Sequence, residues 1–143
     1  MEQAISVQIS QIRQRHGRMM ERLLKEAGIT DCNSAQGQIL QALWQGDDVP
    51  ITVLSARTGL AKTSLTGMLD RMEAGELICR VHDPQDRRQV RIRLTQRAQL
   101  LQMQYHQVAE MGEQRLCRGM RPEEVEILHA LLERVLENTK EDD

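Results

Sequence analysis

Phenylalanine is absent from the 143 residues, and the only aromatic side chains are Trp44 and Tyr105. The core must then be built from Leu, Ile, Val, Met and Ala, a palette that favours packed helices. Cysteine is scarce too. Cys32, Cys79 and Cys117 have no CxxC spacing and cannot all pair, which argues against a disulfide framework or a zinc knuckle. No uncharged run approaches the ~18 residues of a membrane span, and the opening MEQAISVQISQIRQRH is amphipathic rather than a secretory signal, so a cytoplasmic protein with no membrane partner is expected. Neither an HExxH motif nor a phosphate-binding glycine loop nor a nucleophile and base constellation is present, and His16, His82, His106 and His129 show no ligand spacing. An enzyme is therefore not expected, and no cofactor or metal is called for.

What remains is ordinary for one soluble globular domain: 40% hydrophobic and 28% charged residues with a net charge of −2. The charge is unevenly placed. Between Arg57 and Arg97 nine Lys or Arg face five Asp or Glu, a surplus of four positive charges that leaves −6 for the rest of the chain. A basic surface on an acidic body attracts phosphate locally while discouraging indiscriminate binding.

The basic stretch also has the most legible grammar. Leu65, Met68, Leu69 and Met72 fall at i, i+3, i+4 and i+7, the apolar stripe of a helix, and Gly59 ends the helix before it. The opposite face, Lys62, Thr63, Ser64, Thr66 and Gly67, is short and polar, which suits a helix whose N-terminal end enters a DNA major groove. Ile51 to Arg57 forms the supporting first helix, with Thr52 as candidate cap and Leu54 and Ala56 facing inward. Gly67 costs about 1 kcal/mol relative to Ala in a helix, so it either permits a close backbone approach or is a tolerated defect. Past Gly75 the period changes to two. Leu77, Cys79 and Val81 alternate with Ile78, Arg80 and His82, and Val90, Ile92 and Leu94 with Arg91 and Arg93, predicting a hairpin. Its tip, Asp83 to Gln89, reads DPQDRRQ. This can be a solvated turn, yet at wing distance behind a helix-turn-helix it points to DNA contact, with Asp86 two residues from Arg88 to hold its guanidinium for a minor groove.

These motifs carry a resemblance. Asp86-x-Arg88 followed by Ile92-x-Leu94-Thr95, and preceded by Ser64-Leu65-Thr66-x-Met68-Leu69-Asp70-Arg71-Met72-Glu73, resembles the multiple antibiotic resistance regulator (MarR) family of dimeric bacterial winged-helix transcription regulators. The similarity covers nearly the whole chain in length and element order. Its motifs concentrate between Ile51 and Thr95, with a weaker echo at Asn33 to Leu43. The chain departs from the family at Gly67, where a basic residue is frequent, and at Ala61, where an acidic residue or Ser is; base preference is not carried over.

The flanks fit the same reading. Residues 2–27 place Ile5, Ile9, Ile12, Met19 or Met20, and Leu23 at helical spacing, with a basic polar side (Arg13, Arg15, Arg18, Arg22) and His16 in the apolar stripe. Asn33 or Ser34 can cap a helix burying Ile39, Leu40, Leu43 and Trp44. Cys32 lies just ahead of that cap, either as a small apolar packing residue or as an oxidisable thiol of lowered pKa, whereas Cys79 and Cys117 look like core fillers. Thr95 ends the wing and caps a long helix stepping through Ala98, Leu101, Tyr105, Val108 and Gly112, and Pro122 starts a last helix with Val125, Leu128, Leu131, Leu132, Val135 and Leu136. Its wide stripe suggests a helical dimer interface, as the resemblance also implies; the alternative is an intramolecular three-helix core.

The expected fold is mainly α with a small β-hairpin wing: a single domain over 1–143, with the winged helix-turn-helix in 33–97 and dimerisation helices in 2–27 and 98–138. The expected function is a homodimeric repressor of a pseudo-palindromic site in double-stranded DNA. Lys62, Thr63, Ser64 and Thr66 would face the major groove, Arg88 the minor groove with Asp86 orienting it, and Arg71, Arg87 and Arg91 the phosphates. The resemblance implies relief by a small aromatic or amphipathic effector, with His16, Met20, Trp44 and Tyr105 as candidate pocket liners; oxidation of Cys32 is the redox variant. The alternative class is a winged-helix protein-interaction module or antirepressor with little direct DNA binding, which leaves the wing arginines unexplained.

Overall fold

The computed structural model describes residues 2–140. Along the chain run α1 (Ile5–Glu26), α2 (Ser34–Trp44), β1 (Val49–Pro50), α3 (Ile51–Thr58), α4 (Lys62–Ala74), β2 (Ile78–His82), β3 (Val90–Leu94), α5 (Gln96–Leu116) and α6 (Pro122–Asn138). They fall into two compact units, Met1–Gly112 and Glu113–Asp143.

The first unit holds the core. The side chains expected to face inward do so: Leu65, Leu69 and Met72 from α4, Leu54 from α3, Ile39, Leu40 and Leu43 from α2, and Ala98, Leu101, Tyr105 and Val108 from α5 are buried together. Only the C-terminal part of α1 joins them, through Met20, Leu23 and Leu24; Ile5, Ile9 and Ile12 are exposed. Ala56 is exposed as well, because α3 is short and turns only the Leu54 face to the core.

Local chemistry sets the element ends. Asn33 accepts from the Gln36 amide at 2.8 Å while the Gln36 side chain accepts from the Asn33 amide at 3.1 Å, a reciprocal cap that satisfies two otherwise orphan donors of α2. Thr52 does not cap α3: the helix starts at Ile51, behind Pro50, with no side-chain cap. Gly59 closes α3 at φ +75°, the left-handed conformation that glycine adopts without penalty. Thr95 caps α5 as expected, its Oγ1 accepting from the Ala98 amide at 3.2 Å while its own hydroxyl faces the Glu76 carbonyl at 2.7 Å.

The wing is a three-stranded antiparallel sheet of order β1-β3-β2, one strand more than the expected hairpin. Val49 opposes Ile92 and Pro50 opposes Arg91. On the other edge of β3, Cys79 opposes Arg93 and Val81 opposes Arg91. Leu77 lies outside the strand, its amide donating to the Met72 carbonyl at 2.9 Å in the turn that ends α4. Removing that residue from the alternation exchanges the two faces of β2. Ile78 packs inward, and Cys79, expected as a core filler, is exposed.

In the second unit, α6 has Pro122 in its first turn and a cap in which the Glu124 carboxylate accepts from the Arg121 amide at 2.9 Å. None of its residues is buried, and Ile127, Leu128, Leu131, Leu132 and Leu136 are exposed. Cys117 is half-buried.

Candidate nucleic-acid interface

The first turns of α4 present Lys62, Thr63, Ser64 and Thr66, all exposed. Ala61 stands at the N-cap and offers no side-chain acceptor, so the leading amides of the helix stay uncapped, a region of partial positive charge facing outward. The Thr66 hydroxyl is turned back to the Lys62 carbonyl at 2.9 Å, leaving its methyl group and a lone pair for an outside partner. Gly67 has open space where a Cβ would stand, so no neighbouring backbone explains it.

Beside α4 the wing tip is held by its own backbone. The Asp83 amide donates to the Gln89 carbonyl at 3.0 Å, the Gln89 amide to the Asp86 carbonyl at 3.0 Å, and the Gln85 amide to the Asp83 carboxylate at 2.8 Å. Asp86 does not grip the Arg88 guanidinium as expected. Its Oδ1 accepts from the Arg88 backbone amide at 3.1 Å, so Asp86 shapes the turn that presents Arg88 and leaves the side chain unclamped. His82 Nδ1 lies 3.1 Å from the Arg87 carbonyl and adds a second tie.

The basic surplus divides into engaged and unengaged cations. Arg57 donates to the Ala42 and Gly46 carbonyls, closing the C-terminal end of α2. Arg80 reaches from the inner face of β2 to Asp70 and Glu73 on α4. Arg97 joins Asp31 at 2.9 Å and the Gly75 carbonyl at 3.0 Å. Arg91, expected on phosphate, is paired with Asp48 at 2.9 Å and Asp83 at 3.3 Å, and Arg93 with Asp48 at 3.1 Å. Lys62, Arg71, Arg87 and Arg88 make no ion pair among the described residues. A cleft of about 390 Å³ separates the wing from α3 and α4, with Ile51, Thr52, Thr66, Arg80, Arg88 and Val90 among its walls.

The candidate effector residues come together in two pairs. The rings of Trp44 and Tyr105 meet at an interplanar angle of 51° with centroids 5.4 Å apart, and Trp44 Nε1 donates to the Ala98 carbonyl at 3.2 Å. Tyr105 is buried, and burial pushes its phenol up to about 12. His16 and Met20 meet Gly112, two turns further along the same face of α5. Cys32 is buried, and desolvation, reinforced by Asp31 and Glu21, pushes its thiol up to about 11. That is the reverse of the lowered pKa its place before α2 suggested: the Asn33 cap already occupies the helix terminus, and two carboxylates disfavour a thiolate. Among the described residues no group of three His, Cys, Asp or Glu is arranged to hold a metal ion, and no helix is long and apolar enough to cross a membrane.

A supporting helix, a second helix with an exposed polar leading end, and a three-stranded wing beside it define a winged helix-turn-helix. Residues 32–90 match the model of the MarR family. The chain is 28% identical to the HTH-type transcriptional regulator YfiV of Bacillus subtilis over 118 residues, covering 78% of this chain and 72% of that protein. Its fold superposes with a TM-score of 0.82 and 26% identity on a mutant of Escherichia coli MarR solved in complex with operator DNA, over 92% of this chain and 93% of that one. A TM-score of 0.84 at 22% identity relates it to Bordetella bronchiseptica BpsR, whose DNA binding is regulated by 6-hydroxynicotinic acid, over 97% and 96% of the two chains. Residues 32–90 thus carry a MarR-type winged helix, and the chain is similar along most of its length to helix-turn-helix transcriptional regulators.

Proposed function

We propose that this chain is a MarR-family transcriptional regulator, a homodimeric repressor that occludes a pseudo-palindromic promoter site. The observation that carries the DNA contact is the juxtaposition, within one compact unit, of the exposed leading turns of α4 and a hydrogen-bonded wing tip bearing two arginines, Arg87 and Arg88, that make no ion pair among the described residues. Lys62, Thr63, Ser64 and Thr66 read base edges in the major groove, Arg88 enters the minor groove from the turn shaped by Asp86, and Arg71 and Arg87 hold phosphates. Arg91, tied to Asp48 and Asp83, is assigned to the wing itself rather than to DNA. Residues 33–97 form the reading part in this proposal, and 2–27 with 98–138 the dimerisation helices. The apolar stripe of α6, none of it buried, and the exposed Ile5, Ile9 and Ile12 of α1 supply surface for a second copy.

The signal is proposed to be a small aromatic or amphipathic molecule that bears on His16, Met20, Trp44 and Tyr105, by analogy with the ligand that regulates BpsR. Because Met20 and Tyr105 are packed, such a molecule acts by parting the faces of α1, α2 and α5 rather than by filling an open hole. Redox control through Cys32 is the less favoured route, given its buried, poorly ionised thiol.

Fluorescence-anisotropy titration of the full-length protein against DNA from upstream of its own gene, beside shuffled DNA of equal composition and at two salt concentrations, tests the DNA reading. Preference for the upstream duplex that survives near-physiological salt is expected. Equal binding that vanishes with salt would count against it. Sedimentation of the same preparation should give twice the 16.4 kDa chain mass, and a concentration-independent monomer would refute the dimer.

A further inference from the structure

The outer face of the wing carries Arg91 and Arg93, and both guanidiniums are turned onto Asp48, the residue before β1. Arg93 Nε lies 3.1 Å from Asp48 Oδ1 and its Nη2 3.4 Å from Oδ2. Arg91 Nε lies 2.9 Å from the same Oδ1, and Arg91 also donates to the Asp48 carbonyl and to Asp83 Oδ2. Asp48 is fixed independently of these pairs: its backbone sits at φ +62°, and its amide donates to the Ile92 carbonyl at 2.7 Å. Hydrogen bonds from Arg93 first and Arg91 second hold its carboxyl below the usual aspartate range, so it is charged at neutral pH. Asp48, Asp83, Arg91 and Arg93 together carry no net charge, whereas Arg87 and Arg88 at the tip have no carboxylate partner among the described residues.

We propose that Asp48 is a specificity-determining residue, an internal counter-ion that withholds Arg91 and Arg93 from phosphates so that the wing meets DNA through its tip alone. The proposal rests on the DNA-binding reading above. A phosphate contact releases counterions from any duplex regardless of sequence, and on a random duplex, where no base contact fixes the pose, the protein settles wherever it neutralises most phosphates; an additional available arginine therefore strengthens random binding more than upstream binding and narrows the preference for the right site. Asp48 is placed to oppose this: its carboxylate competes with phosphate for two cations that the alternation of β3 necessarily points outward.

The test compares the salt dependence of binding to a random-sequence duplex and to the upstream duplex for the full-length protein, Asp48→Asn, Arg93→Gln and the double variant. Asn tolerates the left-handed backbone, so the fold is kept. Each phosphate contact contributes about 0.9 to the slope of log K against log salt, so Asp48→Asn should steepen the slope on random DNA by about 0.9 to 1.8 and reduce the ratio of upstream to random affinity. Arg93→Gln alone should leave the slope unchanged, yet in the Asp48→Asn background it should take back about 0.9. An unchanged slope in Asp48→Asn, or equal loss of affinity on both duplexes with an unchanged circular-dichroism spectrum, would overturn the proposal. So would a shallower slope in Arg93→Gln alone, a readout that stands even if Asp48→Asn does not fold. Failure of the unaltered protein to bind either duplex would instead overturn the underlying DNA reading.

Discussion

Two glycines in different helices should respond to the same substitution with opposite signs. In α2, Gly37 is buried against the phenol of Tyr105, and a Cβ built there would overlap the hydroxyl and two ring carbons. The ring has no room to retreat: Tyr105 is 2% exposed and packed against the Trp44 ring. Overpacking of this kind costs about 3 kcal/mol at the upper end, against about 1 kcal/mol gained from replacing a helical glycine, so Gly37→Ala should destabilise by roughly 2 kcal/mol. In α4, Gly67 meets nothing within 4 Å of the added carbon, so Gly67→Ala keeps only the gain, up to about 1 kcal/mol. Urea denaturation at fixed protomer concentration separates the two, with midpoints moving in opposite directions at constant m. A third variant checks the cause: Gly37→Ala combined with Tyr105→Leu should cost clearly less than the sum of the single changes, because the residues touch. Additive effects, or a Gly37→Ala protein as stable as its parent, would refute the steric argument.

Three further outcomes are expected. Arg88→Ala should weaken binding to the upstream duplex by about tenfold, the order of a single specific contact, with unchanged urea stability; unchanged affinity would show that the wing tip does not touch DNA. Cys79, exposed on the wing, should be alkylated well before Cys32, whose thiol is pushed up to about 11; mass spectrometry after brief iodoacetamide treatment at neutral pH gives the order, and prior labelling of Cys32 would contradict the burial argument. Because the Asp48 carboxyl is held below its ordinary value, its pairs stabilise the protein above about pH 4 and lose that effect as pH falls through the lowered value. Asp48→Asn should therefore be the less stable protein at pH 7, with the gap closing in acid; a gap that is constant with pH would exclude the ion pairs as its source.

The helices and the exposed polar leading end of α4 were legible because their signals are local. The stripe of Leu65, Leu69 and Met72, the stop at Gly59, the start at Pro122, and the caps at Asn33 and Thr95 each depend on residues close in sequence, and the structure places them as the spacing predicts. What escaped depends on partners distant in sequence. Asp48 lies 43 and 45 positions from the arginines it binds, and β1 is two residues long, too short to show a period. Asp86 and Arg88 do interact, but spacing alone does not distinguish a carboxylate on the guanidinium from one on the amide. Leu77 misled for a simple reason: an apolar residue that closes a helix looks, in sequence, like the first residue of a strand, and counting it inverted the faces and sent Cys79 inward.

The poverty of aromatics gives the protein a built-in optical reporter. Trp44 is the sole tryptophan, its indole N–H is tied to the carbonyl of Ala98 at the start of α5, and the sole tyrosine lies 5.4 Å away, within range for efficient energy transfer. Emission excited at the red edge comes from one position, where α2 meets α5. Any signal that slides these helices apart must stretch the indole hydrogen bond and separate donor from acceptor. The unlabelled chain therefore announces such a movement by its own colour and brightness.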